Sequence, residues 1–213
     1  MDPLSELAQR IAACERCQRL VAWRAATARP GWWARPVPGF GDPEARLVVV
    51  GLAPSRAGAN AHGRMFTGDR SADLLVRTLF DLGLASQPCS RDLGDGLVLE
   101  GVWLTAAARC APPGNRPLAS ELGACRDYLA EELALLPWRS LVALGRIAWD
   151  AAQRAVALHP VAFAHGTTRR VGDKLLLASY HPSPQNTNTG RLSPTMLRAV
   201  LGEGAAYAGV ATT

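Results

Sequence analysis

Lysine is almost missing from this sequence: Lys174 is the only one among 23 basic residues in 213. A Schiff-base mechanism, which needs an amine nucleophile, therefore has one lysine to draw on. That lysine falls at the start of an expected strand rather than at a carboxyl end. Long apolar runs are missing as well. The clearest, Leu47 to Val50, is far shorter than the roughly 20 apolar residues needed to cross a bilayer, so no membrane span is expected. The N-terminus carries Asp2, Pro3 and Glu6 in place of a basic stretch followed by an apolar one. It does not read as a secretory signal, and the protein is expected in the cytoplasm. No Gly-Lys-Ser/Thr follows the glycine-rich loop and the spacing of a dinucleotide fingerprint is lacking, which disfavours nucleotide hydrolysis.

What is present describes a globular chain. Hydrophobic residues make up 48% and charged residues 19%, and the length suits one domain over residues 1–213. A net charge of +5 with a pI near 9.3 fits a polyanionic partner through counterion release, and fits ordinary surface solubility equally well.

Apolar spacing predicts a helix over residues 3–12, running into Cys14 and Cys17. Proline and glycine mark 27–46 as loop, so residues 1–45 are expected to form an N-terminal helix and loop carrying two of the cysteines. Strands are expected at 47–50, 101–105, 141–144 and 174–179. Helices are expected at 71–84, 119–136 and 146–158 and from Pro194 onward, with 203–213 as a frayed tail. Strands alternating with helices imply right-handed crossovers and a three-layer α/β/α domain with a central four-stranded parallel sheet. Ligands of such sheets bind outside the carboxyl ends of the strands. The segments after Val50, Thr105, Gly145 and Ser179 should therefore converge on one cleft.

Cys14-x2-Cys17 and the pair Cys110 and Cys125 can supply four thiolates to one centre. In a reducing compartment such spacing argues for metal or redox chemistry over disulfides. Tetrahedral zinc and a cubic iron–sulfur cluster are both compatible with it, and so are unliganded thiols. Cys89, in a Pro/Ser loop, reads as a free thiol. The loop from Gly51 to Pro54 and then from Gly63 to Ser71 follows a strand and precedes a helix. Asp69 there suits a helix cap or a catalytic carboxylate. His181 ends the fourth strand and opens a rigid polar stretch, a place suited to ligand contact.

These segments together resemble the uracil-DNA glycosylase superfamily, specifically its family 5 branch of bacteria and archaea. The resemblance rests on Gly51-Leu52-Ala53-Pro54, on Gly63 to Asp69 ending Phe-Thr-Gly-Asp, on Leu104 to Pro117, on His181 to Gly190, and on the four cysteines. It spans residues 14 to about 197 in order. It implies a [4Fe-4S] cluster on Cys14, Cys17, Cys110 and Cys125, structural in role. Other branches place a water-activating Asp or Asn in the first motif and a uracil-reading Asn at the end of the second strand, where this chain has Ala53 and Ala106. A family 5 histidine is expected shortly after the Ala-Pro, where Ala57 stands, with His62 nearby.

The resemblance implies a monofunctional enzyme of base excision repair acting as a monomer on double-stranded DNA, excising uracil and other deaminated or damaged bases such as hypoxanthine, xanthine and ethenocytosine by nucleotide flipping and N-glycosidic bond hydrolysis. Asp69 and His181 would be catalytic. Gly51, Leu52, Ala53, Phe66, Ala106 and Asn186 would hold the flipped base, and Ser183, Gln185, Asn188 and Arg191 the DNA. Two other readings suit the same residues: a non-catalytic damage-binding protein, given the alanines at 53 and 106, and a zinc-stabilised hydrolase of small substrates.

Overall fold

The computed structural model describes residues 2–210. In chain order the elements are α1 (Pro3–Ala12), α2 (Gln18–Thr27), β1 (Phe40–Gly41), β2 (Leu47–Gly51), α3 (Ala59–His62), α4 (Arg70–Asp81), β3 (Val102–Ala106), α5 (Ala119–Leu135), β4 (Ser140–Leu144), α6 (Arg146–Ala155), β5 (Thr168–Val171), β6 (Lys174–Ser179), α7 (Pro184–Asn188) and α8 (Pro194–Ala208). A 3₁₀ turn at Pro113–Asn115 lies between β3 and α5.

The four expected strands form the parallel centre of a six-stranded sheet ordered β1-β3-β2-β4-β6-β5. Two antiparallel edge strands complete it, and they correct the four-stranded expectation. Neither carries a buried-strand signature. β1 has two residues, and β5 alternates exposed and half-buried positions, as an edge facing water on one side does. The central strands are wholly buried from Leu47 to Gly51, Val102 to Ala106 and Ser140 to Leu144. Successive side chains point to opposite faces. Leu47 and Val49 accordingly pack under α4 and α8 with Leu75, Leu79 and Leu201, while Val48 and Val50 meet Leu129, Leu133 and Trp149 of α5 and α6.

Three further expectations are corrected. Residues 203–208 are not a tail: α8 continues through them, with Gly204, Ala205 and Ala208 buried. Gly204 lets the helix lie against the sheet, since a Cβ there would stand 3.1 Å from Val142 and 3.2 Å from Leu47. Residues 211–213 of that expected tail lie outside the described residues. Helix α2 falls in a stretch with no clear apolar period, and only Leu20 and Arg24 of it are buried. The stretch after His181 contains the short helix α7, with Pro184 at its first turn, where a missing N–H costs nothing. No helix among the described residues is long and apolar enough to cross a membrane.

The chain passes from β2 outward to β3 and then returns to β4 on the other side of β2. The crevice at the carboxyl end of β2 is therefore the topological switch point, where ligands of open α/β sheets bind.

Candidate active site

A cleft of about 620 Å³ opens at that switch point, a size ordinary for small-molecule sites. Its walls come from separate parts of the chain. Gly51 to Ser55 follow β2, Ala106 ends β3, and Gly114 and Asn115 belong to the 3₁₀ turn. Asp69 to Ser71 open α4, while His181 and Ser183 to Gln185 follow β6. The loops after β2 and β3 are tied together by the Ala107 amide donating to the Gly51 carbonyl at 2.9 Å and the Ala108 amide to that of Leu52 at 3.0 Å. The segment after β4 does not line the cleft. It backs His181 instead, with Gly145 so close that a Cβ would lie 3.4 Å from the His181 Cβ.

Asp69 both caps a helix and faces the cleft. Its Oδ1 accepts from the Ser71 and Ala72 amides at 2.9 Å each, and its Oδ2 accepts from Ser55 Oγ at 2.5 Å. These three donors fix the carboxylate. Ser55 is not among the expected site residues, although its place beside Pro54 in the first motif is a signal for it. Gly58 crowds the same carboxylate, with a hypothetical Cβ 2.7 Å from Oδ2.

Burial lowers the His181 pKa below its ordinary value, and the charge of Asp69 acts in the opposite direction. The imidazole is therefore neutral at neutral pH, and the two side chains sense each other across the cleft. Replacing Asp69 by Asn should lower the His181 midpoint further, as read by NMR titration of the ring. An unchanged or higher midpoint would mean that the carboxylate does not act on it.

Phe66 sits in the left-handed region at φ 50° and lines the cleft. Its ring lies against the Gly51 backbone, where a Cβ would come within 2.6 Å of Cζ. A buried network secures this strained turn: Arg64 pairs with Asp95 at 2.7 Å and donates to Thr67 Oγ1 and Ser90 Oγ. Burial would raise the Asp95 pKa, yet hydrogen bonds from Arg64 and from the Arg91 and Leu97 amides hold it far below the usual carboxylate range.

Leu52, Ala53 and Ala106 also line the cleft, and Ser183 and Gln185 stand at its edge. Asn186 does not line it. Its Nδ2 donates to the His181 carbonyl at 2.8 Å, so it shapes the segment that carries the histidine. Asn188 and Arg191 are exposed beyond the cleft, with the Arg191 guanidinium 4.5 Å from the centre of the Tyr180 ring. Ala57 is exposed, and His62 packs against Gly68, so neither lines the cleft. Asn115, at φ 57° beside Gly114, lines it without having been proposed from sequence.

Cys14, Cys17, Cys110 and Cys125 come together beside α2 and α5, and their charges act on one another. Burial pushes the Cys110 thiol up to about 12, although Arg24 lies 3.6 Å from its sulfur. Burial also raises Cys125, against an amide hydrogen bond from Arg109. For Cys14 burial is outweighed by hydrogen bonds from Arg16, which lower its pKa. Among the described residues no three His, Cys, Asp or Glu side chains stand close enough to hold a single metal ion. Cys89 lies apart, its carbonyl accepting from Gln87.

The profile of the uracil DNA glycosylase superfamily matches residues 38–203. A type-5 uracil-DNA glycosylase of Pyrobaculum aerophilum is 45% identical over 96% of this chain and 93% of its own length. One of Thermus thermophilus is 50% identical over 95% and 97%. The chain belongs to the uracil-DNA glycosylase superfamily, type 5. A type-4 uracil-DNA glycosylase of Archaeoglobus fulgidus is 29% identical over 86% of the chain and 83% of its own length. Every cleft segument named above from Gly51 to Gln185 falls within the matched range.

Proposed function

We propose that this protein is a monofunctional DNA glycosylase that releases uracil and other deaminated or damaged bases from double-stranded DNA, acting as a monomer. The observation that carries the reading is the pairing of Asp69 and His181 within one cleft. The target bond lies inside the duplex, so the nucleotide is extruded at a cost of a few kcal/mol, least for mismatched or damaged bases. Phe66 offers the extruded base a ring to stack on, worth about 1–3 kcal/mol.

Breaking the N-glycosidic bond builds positive charge on the sugar and negative charge on the base. Asp69, fixed by three donors, stabilises the sugar side, where a water molecule adds its oxygen as the base departs, and the neutral His181 ring donates a hydrogen bond to the base oxygen while the released base takes up the proton that the water loses. Ala53 and Ala106 put no polar group on the base edge. Discrimination by hydrogen bonding is then weak, which supports a substrate range wider than uracil. Ser183, Gln185, Asn188 and Arg191 contact DNA on the His181 side.

The single lysine supports the monofunctional reading: Lys174 begins β6, with its ammonium 4.2 Å over the Trp138 ring, and it is not among the cleft residues. A set of duplexes, each with one lesion, tests the proposal. Release of uracil and of at least one deaminated purine, with strand scission only after alkali, is expected. Tight binding without release would instead favour a damage-binding protein.

The four cysteines suit a [4Fe-4S] cluster. Cys14, Cys17, Cys110 and Cys125 would each hold one iron of such a cluster. Arg16, Arg24 and the Arg109 amide already point N–H groups at the sulfurs or their backbone. When bound, the cluster ties the N-terminal segment to the segment after β3 and to α5, a structural contribution. Protein purified without oxygen should be brown and carry about four iron atoms per chain. Cys125→Ser should lower both iron content and melting temperature, whereas colourless protein with stoichiometric zinc would refute the assignment.

A further inference from the structure

Beside the cleft lies a cluster that the chemistry above does not use. Trp32 and Trp33 are half-buried in a segment, residues 28–41, that contains no acidic residue. The Trp33 amide donates to the Ala61 carbonyl at 2.9 Å and the Ala34 amide to that of Asn60 at 3.0 Å. The segment is thus fastened to α3, whose Ala59 lines the cleft. The Trp33 ring rests on Gly63, where a Cβ would come within 2.8 Å of it.

Three guanidiniums sit over these indoles. Arg29 and Arg56 lie 5.3 and 5.7 Å from the Trp32 ring, and Arg35 lies 5.7 Å from that of Trp33. All three arginines are exposed. Among the described residues none pairs with a carboxylate, in contrast to Arg19, Arg64, Arg77 and Arg109. Stacking occupies the face of a guanidinium and leaves the N–H groups along its edge to meet an oxyanion in a fork. The indoles also restrict three long side chains in advance, which lowers the entropy lost on binding. Arg56 adjoins Ser55, the hydrogen-bond partner of Asp69, so the cluster borders the reacting groups.

We propose that Arg29, Arg35 and Arg56, carried on Trp32 and Trp33, clamp successive phosphates of the DNA strand that passes this side of the cleft. The proposal rests on the glycosylase reading for the identity of the polyanion. The clamp is blind to sequence and to damage, because phosphates carry no base information.

The test uses a fluorescein-labelled duplex with a tetrahydrofuran abasic analogue, which has no base to lose, and an undamaged duplex of the same sequence. Binding is followed by anisotropy between 50 and 200 mM salt. For Arg29→Gln, Arg35→Gln and Arg56→Gln, the slope of log K against log salt should each become shallower by about 1, and for the triple variant by about 3. At 0.1 M salt each loss corresponds to roughly eightfold weaker binding by the same relation. The loss should be equal on both duplexes, with melting temperatures unchanged.

A triple variant with the wild-type slope overturns the clamp, and so does a loss confined to the damaged duplex. Uracil release by the wild-type protein is measured alongside. Absence of release with an arginine-dependent slope would sink the glycosylase reading and keep the clamp. Release with an unaltered slope would sink the clamp alone.

Discussion

Asp69→Asn and His181→Ala should each slow base release by about 10²–10³-fold, the range found when one preorganised stabilising group is removed from a transition state. Asparagine is the informative replacement at 69. It caps a helix nearly as well as aspartate, so α4 keeps its N-terminal hydrogen bonds while the charge is lost. An alanine there would mix a cap loss of about 0.5–2 kcal/mol with the catalytic effect. The measurement is single-turnover release of uracil from a duplex, with melting curves as a control. A rate within a few-fold of wild type for either variant would remove that residue from the mechanism. The double variant should fall short of the product of the two effects if, as proposed, both groups act on one bond.

The second large effect is expected from the centre of the α5 side. Arg109 and Glu132 are almost wholly enclosed and pair at 2.6 Å, and Thr105 donates to the same carboxylate at 2.5 Å. Glu132→Gln leaves a buried guanidinium without its countercharge, which costs about 3–5 kcal/mol. In a chain of this size that corresponds to a fall of roughly 6–20 °C in melting temperature. Replacing both partners, as in Arg109→Met with Glu132→Leu, should recover most of the loss, since well-packed apolar residues often match a buried ion pair. If Glu132→Gln melted with the wild type, the pair would not be acting as a buried charge couple. Arg109 also matters to its surroundings: its carbonyl accepts from the Val37 amide at 2.7 Å and its own amide reaches Cys125.

The parallel core was legible because Leu47 to Val50 and Leu175 to Ala178 are apolar without interruption, as strands covered on both faces must be. β1 and β5 escaped because an edge strand needs only half the burial, and Thr168 to Val171 reads as an ordinary polar turn. Helix α2 escaped because its one deeply enclosed polar side chain, Arg24, interrupts any apolar period. At the cleft, glycines and the Phe-Thr-Gly-Asp run pointed to loops that line it. The cleft positions of Ser55 and Asn115 and the hydrogen bond from Asn186 to the His181 carbonyl depend on how those loops fold back on one another, which adjacency in sequence does not encode. The same holds for the tryptophan and arginine cluster, whose members become neighbours only when residues 32–34 pair with α3.

The cleft has no local origin. Asp69 waits on α4 while His181 arrives only after β6 has docked on β4, more than a hundred residues later in the chain. On the proposed reading, a nascent polypeptide still emerging from the ribosome holds one half of the pair, so base release would begin only with the closing of the sheet.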